Sequence, residues 1–436
     1  MAAQQPKIPT LRQNFSWTFV GNVVYAACQW GMLVMLAKLG SPEILGQFTL
    51  GFALTAPVIM FTNLQLRTIQ ATDAKQQYYF GDYLGLRLLA TGLALLIIIG
   101  ITFISGYRFE TSLVILVVGL AKACEAISDV FYGLIQQHER MDRIAISMLV
   151  KGPLSLLFLS FGVYFTKSAL WGTVGLAVAW AIVLLGYDIR SSASLLNGIQ
   201  SSQQDAKGRD LSGAKVQLQP RWDLKTLKQL VWLSLPLGFV MMLISLNTNI
   251  PRYFIENYLG ERELGIFAAI AYLMMAGNIV VSALGESACP RLAKYYAAGN
   301  RTAFRNLLCT LAGIGAALGG VCVLVAFVAG RHLLAVLYQP EYAERADLFV
   351  WLMVAAGVSF IASFFGYGMT SARYFRVQMP LFVFVTTISA IACLWLIPKF
   401  GLLGAAFALL VAAIVQVVAS LGVNIHALYA LKKECN

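Results

Sequence analysis

The sequence predicts an all-α polytopic membrane protein of about twelve transmembrane helices in two six-helix halves, and three observations carry that expectation. Of the 436 residues, 59% are apolar and 12% charged, with a mean hydropathy of +0.74. A soluble domain is nearer one quarter charged, so this surface faces lipid. Apolar runs of roughly twenty residues, the length that crosses about 30 Å of hydrocarbon, recur along the chain. The third observation is an internal echo. Leu39-Gly40-Ser41-Pro42-Glu43-Ile44-Leu45-Gly46-Gln47-Phe48 joins the first two apolar runs, and Leu259-Gly260-Glu261-Arg262-Glu263-Leu264-Gly265-Ile266-Phe267 is the same turn with one residue fewer. Repeats of this kind mark transporter folds, with the substrate path between the halves.

Taken in order, the first half gives spans at approximately 16–37, 44–66, 84–105, 112–135, 144–165 and 169–189. The second gives approximately 229–250, 264–288, 305–328, 348–371, 379–397 and 402–427. The expected organisation is therefore a first half at 1–190, a linker at 191–228 and a second half at 229–436. The linker is rich in Ser, Gln, Lys and Asp and reads as solvated chain, with a short surface helix expected near Trp222. A second echo supports duplication: Gly172-Thr173-Val174-Gly175 opens the sixth span and Gly401-Leu402-Leu403-Gly404 the twelfth. Small residues at this spacing let helix backbones approach closely. Pro57, Pro153 and Pro236 lie inside spans, where each removes a helix hydrogen bond. The polar start, Met1 to Leu11, leads into no short apolar core with a cleavage site, so no removable signal peptide is expected.

The net charge of +12 would point to nucleic acid in a soluble chain. In a membrane protein the position of the charges decides, and no nucleic-acid partner is expected. With a cytoplasmic N-terminus, inner segments hold 23 Lys and Arg, Lys151 among them, against 8 in outer loops. That asymmetry places both termini in the cytoplasm. The cysteines, Cys28, Cys124, Cys289, Cys309, Cys322, Cys393 and Cys435, lack metal-ligand spacing and read as buried small hydrophobes, and the three histidines are scattered. No Gly-x-x-x-x-Gly-Lys loop cradles a nucleotide, so no cofactor is expected. The longest outer loop, about Ala329 to Asp347, is short for an enzyme built on the outer face.

Polar residues inside the spans supply the candidate site. Lys122, Glu125 and Asp129 lie within roughly 60° of one another on one face of the fourth helix. Each would cost roughly 2.5–3.5 kcal/mol facing lipid, so the face looks into protein or a wet cavity. Lys122 and Glu125 can pair along the helix. Asp129 has no partner there and is the candidate proton carrier, with Glu125 the second candidate for ion coupling. Thr18, Asn22, Tyr25 and Gln29 stripe the first helix, Ser245, Asn247, Asn249 and Arg252 the end of the seventh, and Asn278, Ser282 and Glu286 the eighth. Such side chains either glue helices together or line a shared cleft. Arg67 and Arg87 flank the first inner loop and either snorkel or serve that cleft.

The turn Leu39-Gly40-x-x-Glu43-x-Leu45-Gly46-x-Phe48, with Asn63-Leu64-x-Leu66-Arg67 and Phe80-Gly81-Asp82-Tyr83-x-x-x-Arg87, resembles the multidrug/oligosaccharidyl-lipid/polysaccharide (MOP) exporter superfamily, and within it the Wzx-type polysaccharide flippases. The resemblance implies a V-shaped bundle of two halves in a bacterial inner membrane. It further implies a flippase, not an enzyme, that carries an undecaprenyl-pyrophosphate-linked oligosaccharide from the cytoplasmic to the periplasmic leaflet by alternating access. The product would feed O-antigen of lipopolysaccharide or a related exopolysaccharide, with glycan polymerase and chain-length machinery as partners. Lys122, Arg67, Arg87 and Arg252 are then candidates for the pyrophosphate, and Asn22, Tyr25, Gln29 and Asn278 for the sugar. The lipid tail stays among membrane lipids, and a proton or sodium gradient is the candidate energy source. The alternatives are a MATE-like multidrug/cation antiporter, which would use the acidic pair Glu125 and Asp129, and a membrane enzyme of glycan assembly.

Overall fold

The computed structural model describes residues 11–73, 77–197 and 218–434. Among these, eleven helices are long and apolar enough to cross a membrane. The chain forms two compact units: residues 1–40 with 51–242, and residues 41–50 with 243–436. Most of the expected linker, 198–217, lies outside the described residues, as does Cys435.

The first unit holds α1 (Leu11–Leu39), most of α2 (Pro42–Thr62), α3 (Leu66–Thr72), α4 (Phe80–Ser105), α5 (Phe109–Gln137), α6 (Met141–Thr166) and α7 (Ala169–Val183), and ends within α8 (Leu224–Leu259). Expected spans and helices agree in order, and α5, at 29 residues, corresponds to the expected fourth span. A π turn, Leu184–Asp188, continues α7. Helix α1 packs along α6, α4 on α5, α5 on α7 and α6 on α7. The glycines of the second echo explain the last of these contacts. A Cβ on Gly175 would come within 2.4 Å of the Phe158 carbonyl oxygen, and one on Gly172 within 2.5 Å of the Val163 side chain.

The second unit comprises the end of α8, α9 (Glu261–Tyr272), α10 (Met274–Ala297), α11 (Arg301–Leu337), the short α12 (Pro340–Ala343), α13 (Ala346–Ser371), α14 (Phe375–Phe400) and α15 (Leu402–Glu434). Helix α11 packs on α13, α13 on α15, and α14 on α15. These are the third-on-fourth, fourth-on-sixth and fifth-on-sixth pairings of the first unit. Gly404 repeats the role of Gly175, since a Cβ there would come within 2.1 Å of the Leu396 carbonyl oxygen. Helix α11 runs on to Leu337, so the loop expected from Ala329 contracts to the few residues around α12.

The first echo has a physical purpose. Helix α2 opens with Pro42 and Glu43, and α9 with Glu261 and Glu263, both suited to a helix N-terminus. The two openings press against each other inside the second unit. A Cβ on Gly46 would lie 1.8 Å from the Glu261 carbonyl oxygen, and one on Gly265 1.9 Å from that of Pro42. Gln47 donates to Glu261 at 3.0 Å, and Arg262 reaches Glu43 at 3.1 Å and also Glu341.

Two expectations are corrected here. No helix forms at Trp222, because residues 218–223 run non-helically along the start of α4. The Arg221 amide donates to the Gly81 carbonyl at 2.8 Å, and the Arg221 carbonyl oxygen occupies the space that a Cβ on Gly85 would need, 2.2 Å away. Backbone docking of this kind ties the strap to α4, and its backbone groups are drawn to that helix and not into a turn of their own. The cysteines are also less buried than expected: Cys393 is buried, four are partly so, and Cys309 is exposed on α11.

Candidate functional site

The site starts from a backbone irregularity. Leu64 and Gln65 both have left-handed backbone, with φ of 52° and 50°. Side chains other than glycine rarely adopt that conformation, which costs free energy and clusters at functional sites. The reversal separates α2 from α3 and turns Arg67 inward onto α5. This is the structural content of Asn63-Leu64-x-Leu66-Arg67. The second motif, Phe80-Gly81-Asp82-Tyr83-x-x-x-Arg87, opens α4: the Asp82 carboxylate accepts from the Tyr79 amide at 2.9 Å, Gly81 admits the strap, and Arg87 projects into the helix cluster.

Arg87 is fully buried, which rules out snorkelling for it. It donates to the Asn63 side-chain oxygen and lies 3.5 Å from one oxygen of Asp129. Arg67 contacts the other oxygen of Asp129 at 3.3 Å and donates through Nε to Gln136 at 3.0 Å. Asp129, expected to stand without a partner, therefore sits between two guanidinium groups drawn from α3 and α4. Both lie on other helices, outside the reach of periodicity along α5.

One helical turn earlier, Lys122 closes on Glu125 at 2.7 Å. The ammonium also lies over Phe52 and Trp180, with ring centroids at 5.0 and 5.2 Å. The other Glu125 oxygen accepts from the Tyr25 hydroxyl at 3.3 Å, and Gln29 lies beside that hydroxyl. These groups surround a cavity of about 570 Å³ within the first unit, lined by Tyr25, Arg67, Lys122, Glu125, Asp129 and Lys151 among others. Its charged wall carries three cations and two carboxylates, with Arg87 behind them. Such a wall can hold an anion by charge-assisted hydrogen bonds.

The remaining expectations fall elsewhere. Asn22 is exposed on α1 and is not among the lining side chains. Arg252, on α8 in the second unit, donates to Asn249 at 2.9 Å, and Asn249 donates to the Ser245 carbonyl at 2.8 Å. Asn278, on α10, is exposed. None of these three lines the cavity.

The sequence reading missed Lys151. Counted there with the inner-loop cations, it is buried within α6 and faces the cavity. The available signal was its place inside the apolar run 144–165, beside Pro153. Its carboxylate neighbour, Asp188, was missed as well, since it falls at the end of a span where a charge is unremarkable.

Comparison with known proteins agrees with this architecture. The family model described as "Polysaccharide biosynthesis protein" matches residues 11–296. Over 412 residues the chain is 27% identical to "Capsular polysaccharide biosynthesis protein CapF" of Staphylococcus aureus, covering 93% of this chain and 97% of that protein. Among solved structures, the inward-facing conformation of a multidrug resistance MATE family transporter of the MOP superfamily matches with a TM-score of 0.74 at 12% identity, covering 95% of this chain and 99% of that one. Lipid II flippase MurJ in an inward closed conformation matches with a TM-score of 0.70 at 11% identity, covering 95% and 89% respectively. At these identities the structural likeness is one of fold. The chain is a multi-pass membrane protein that belongs to the polysaccharide biosynthesis protein family and has the all-α fold of the MOP superfamily.

Proposed function

We propose that this protein is a flippase that moves a lipid-linked oligosaccharide across the cytoplasmic membrane of a bacterium, with no covalent step of its own. The single observation that carries the reading is the cation-rich cavity among apolar helices, a place where charge persists only with a purpose. The substrate in this reading is an undecaprenyl-pyrophosphate-linked unit of a surface polysaccharide such as O-antigen. Arg67, Lys122 and Lys151 face its phosphates, Tyr25 and Gln136 face polar groups beside them, and the lipid tail stays in the bilayer. Both termini lie in the cytoplasm, the two halves alternate access, and a polymerase takes up the product outside. Membership of a polysaccharide biosynthesis family supports the substrate class.

A multidrug/cation antiporter of the same fold is the rival. It needs carboxylates open to a cationic ligand, whereas Glu125 is closed onto Lys122 and Asp129 lies between two arginines. That pairing favours an anionic ligand.

The test is a deletion strain probed with a membrane-impermeant glycan reagent on spheroplasts. Lipid-linked oligosaccharide that becomes reachable only after permeabilisation is the expected result. Intermediate exposed on the outer leaflet as in the parent strain would refute the proposal.

A further inference from the structure

The Lys151–Asp188 pair is built differently from the other ion pairs around the cavity. Lys122 and Glu125 are in hydrogen-bond contact at 2.7 Å, whereas the Lys151 ammonium stands 4.0 Å from Asp188 Oδ2. That oxygen is buried and closes no hydrogen bond of normal geometry, with the Ser128 and Tyr132 hydroxyls near the carboxylate. The other oxygen, Oδ1, is satisfied by the Ser147 hydroxyl at 2.5 Å, and Ser147 in turn bonds the Tyr132 hydroxyl at 2.7 Å. Asp188 is thus fixed in place through one oxygen, while the other closes neither on Lys151 nor on a hydroxyl in normal hydrogen-bond geometry. The π turn Leu184–Asp188 brings it there, and such turns recur at functional sites.

Lys151 is placed with similar care. Its ammonium lies over the Tyr132 ring, 5.2 Å from the centroid, and its side chain lines the cavity. The charged and titratable groups facing the pair are Glu125, Cys124 and Tyr132 from α5, and Tyr187 beside Asp188. A pair that served only to hold helices together would close, because a buried carboxylate oxygen without a donor is costly. A lysine stem is long and flexible enough to serve two anions in turn.

We propose that Lys151 is a ligand-binding cation of the cavity and that Asp188 is its resting counter-ion. An entering phosphate draws the ammonium away from Asp188, and Asp188 takes it back when the ligand leaves. Asp188 thereby weakens binding enough for release, acting through Lys151 as a positioning residue. This rests on the reading that the ligand is a lipid diphosphate, and it assigns that reading a residue pair that sets affinity.

The test uses the full chain in lipid nanodiscs, with inorganic pyrophosphate as the probe and calorimetry as the readout. Asp188→Asn keeps an acceptor for Ser147 but frees Lys151, and binding tightens by about tenfold, the factor that one charge-assisted contact supplies. Lys151→Met/Asp188→Asn removes both charges together and so leaves no orphaned ion in the fold. It binds at least about tenfold more weakly than Asp188→Asn alone. Equal affinities of Asp188→Asn and the parent protein, or of Asp188→Asn and the double variant, would overturn the pair's role and leave the flippase reading standing. Failure of the parent protein to bind pyrophosphate at all would overturn both.

Discussion

Arg67 and Arg87 share one carboxylate, yet the structure gives them different work, and a pair of substitutions separates them. Arg87 is fully buried, while the Arg67 side chain is 30% exposed toward the cavity. At 3.5 Å from Asp129, Arg87 gains about 5 kcal/mol of Coulomb energy at an effective dielectric of 20. Its desolvation offsets much of that gain, but Arg87→Met leaves the half-buried Asn63 and one Asp129 oxygen without their buried partner. Removing one member of a buried pair typically costs about 3–5 kcal/mol. Because Asp129 keeps Arg67 at 3.3 Å, the expected loss is at the lower end, about 3 kcal/mol. In a thermal melt of purified protein this corresponds to a fall of roughly 6–12 °C for a unit of this size. Arg67→Met is expected to cost under about 1 kcal/mol, since its pairing is partly solvated, and to lose glycan export instead. Adding Asp129→Asn to Arg87→Met relieves part of the loss, with a coupling of about 1–3 kcal/mol. Equal melting of Arg87→Met and Arg67→Met, or zero coupling between Arg87 and Asp129, would refute the division into a structural and a ligand-facing arginine.

Two further outcomes follow from close approaches. Gly46→Ala and Gly265→Ala each drive a methyl group into a carbonyl oxygen of the opposite turn, at 1.8 and 1.9 Å, so both variants are expected to accumulate poorly in membranes and to melt lower by the equivalent of about 1–3 kcal/mol or more; normal yield and melting of either would show that the turns can separate freely. Gly85→Val displaces the strap at Arg221 while leaving Arg87 in place, so limited proteolysis between residues 218 and 223 is expected to quicken by at least about tenfold, and an unchanged cleavage rate would contradict the docking.

Much of this was legible because lipid imposes a simple grammar. Helix order came from apolar runs, and the two glycine echoes marked real contacts because only glycine permits backbones that close. Lys122, Glu125 and Asp129 were recognisable as one face because helical geometry is local. What escaped was everything contributed by a second element. Asp129's partners come from α3 and α4, 62 and 42 positions away in the chain. Lys151 was read by its neighbours in sequence, Arg140 and Arg143, and not by the apolar run that encloses it. Asn22 shares a helical stripe with Tyr25, but spacing fixes the face of a helix and not how far along it a cavity extends. Trp222 sits in a polar stretch whose conformation is set by the glycines of α4, a constraint that lies more than a hundred residues earlier.

The seating of residues 41–50 beside α9 bears on how the molecule can be taken apart. The second unit is not a continuous stretch of sequence, so no single cut excises it. A fragment beginning anywhere in the linker lacks the piece that carries Glu43, Gly46 and Gln47, and its Glu261 and Arg262 lose those neighbours. The first fragment would carry that piece away as a projecting stub. Two bundles with matching helix pairings follow one another in the chain, but the later one is completed by residues 41–50 from the earlier stretch of sequence. Dissection of such a protein requires fragments that overlap by this segment, or a permuted chain that returns it to its own unit.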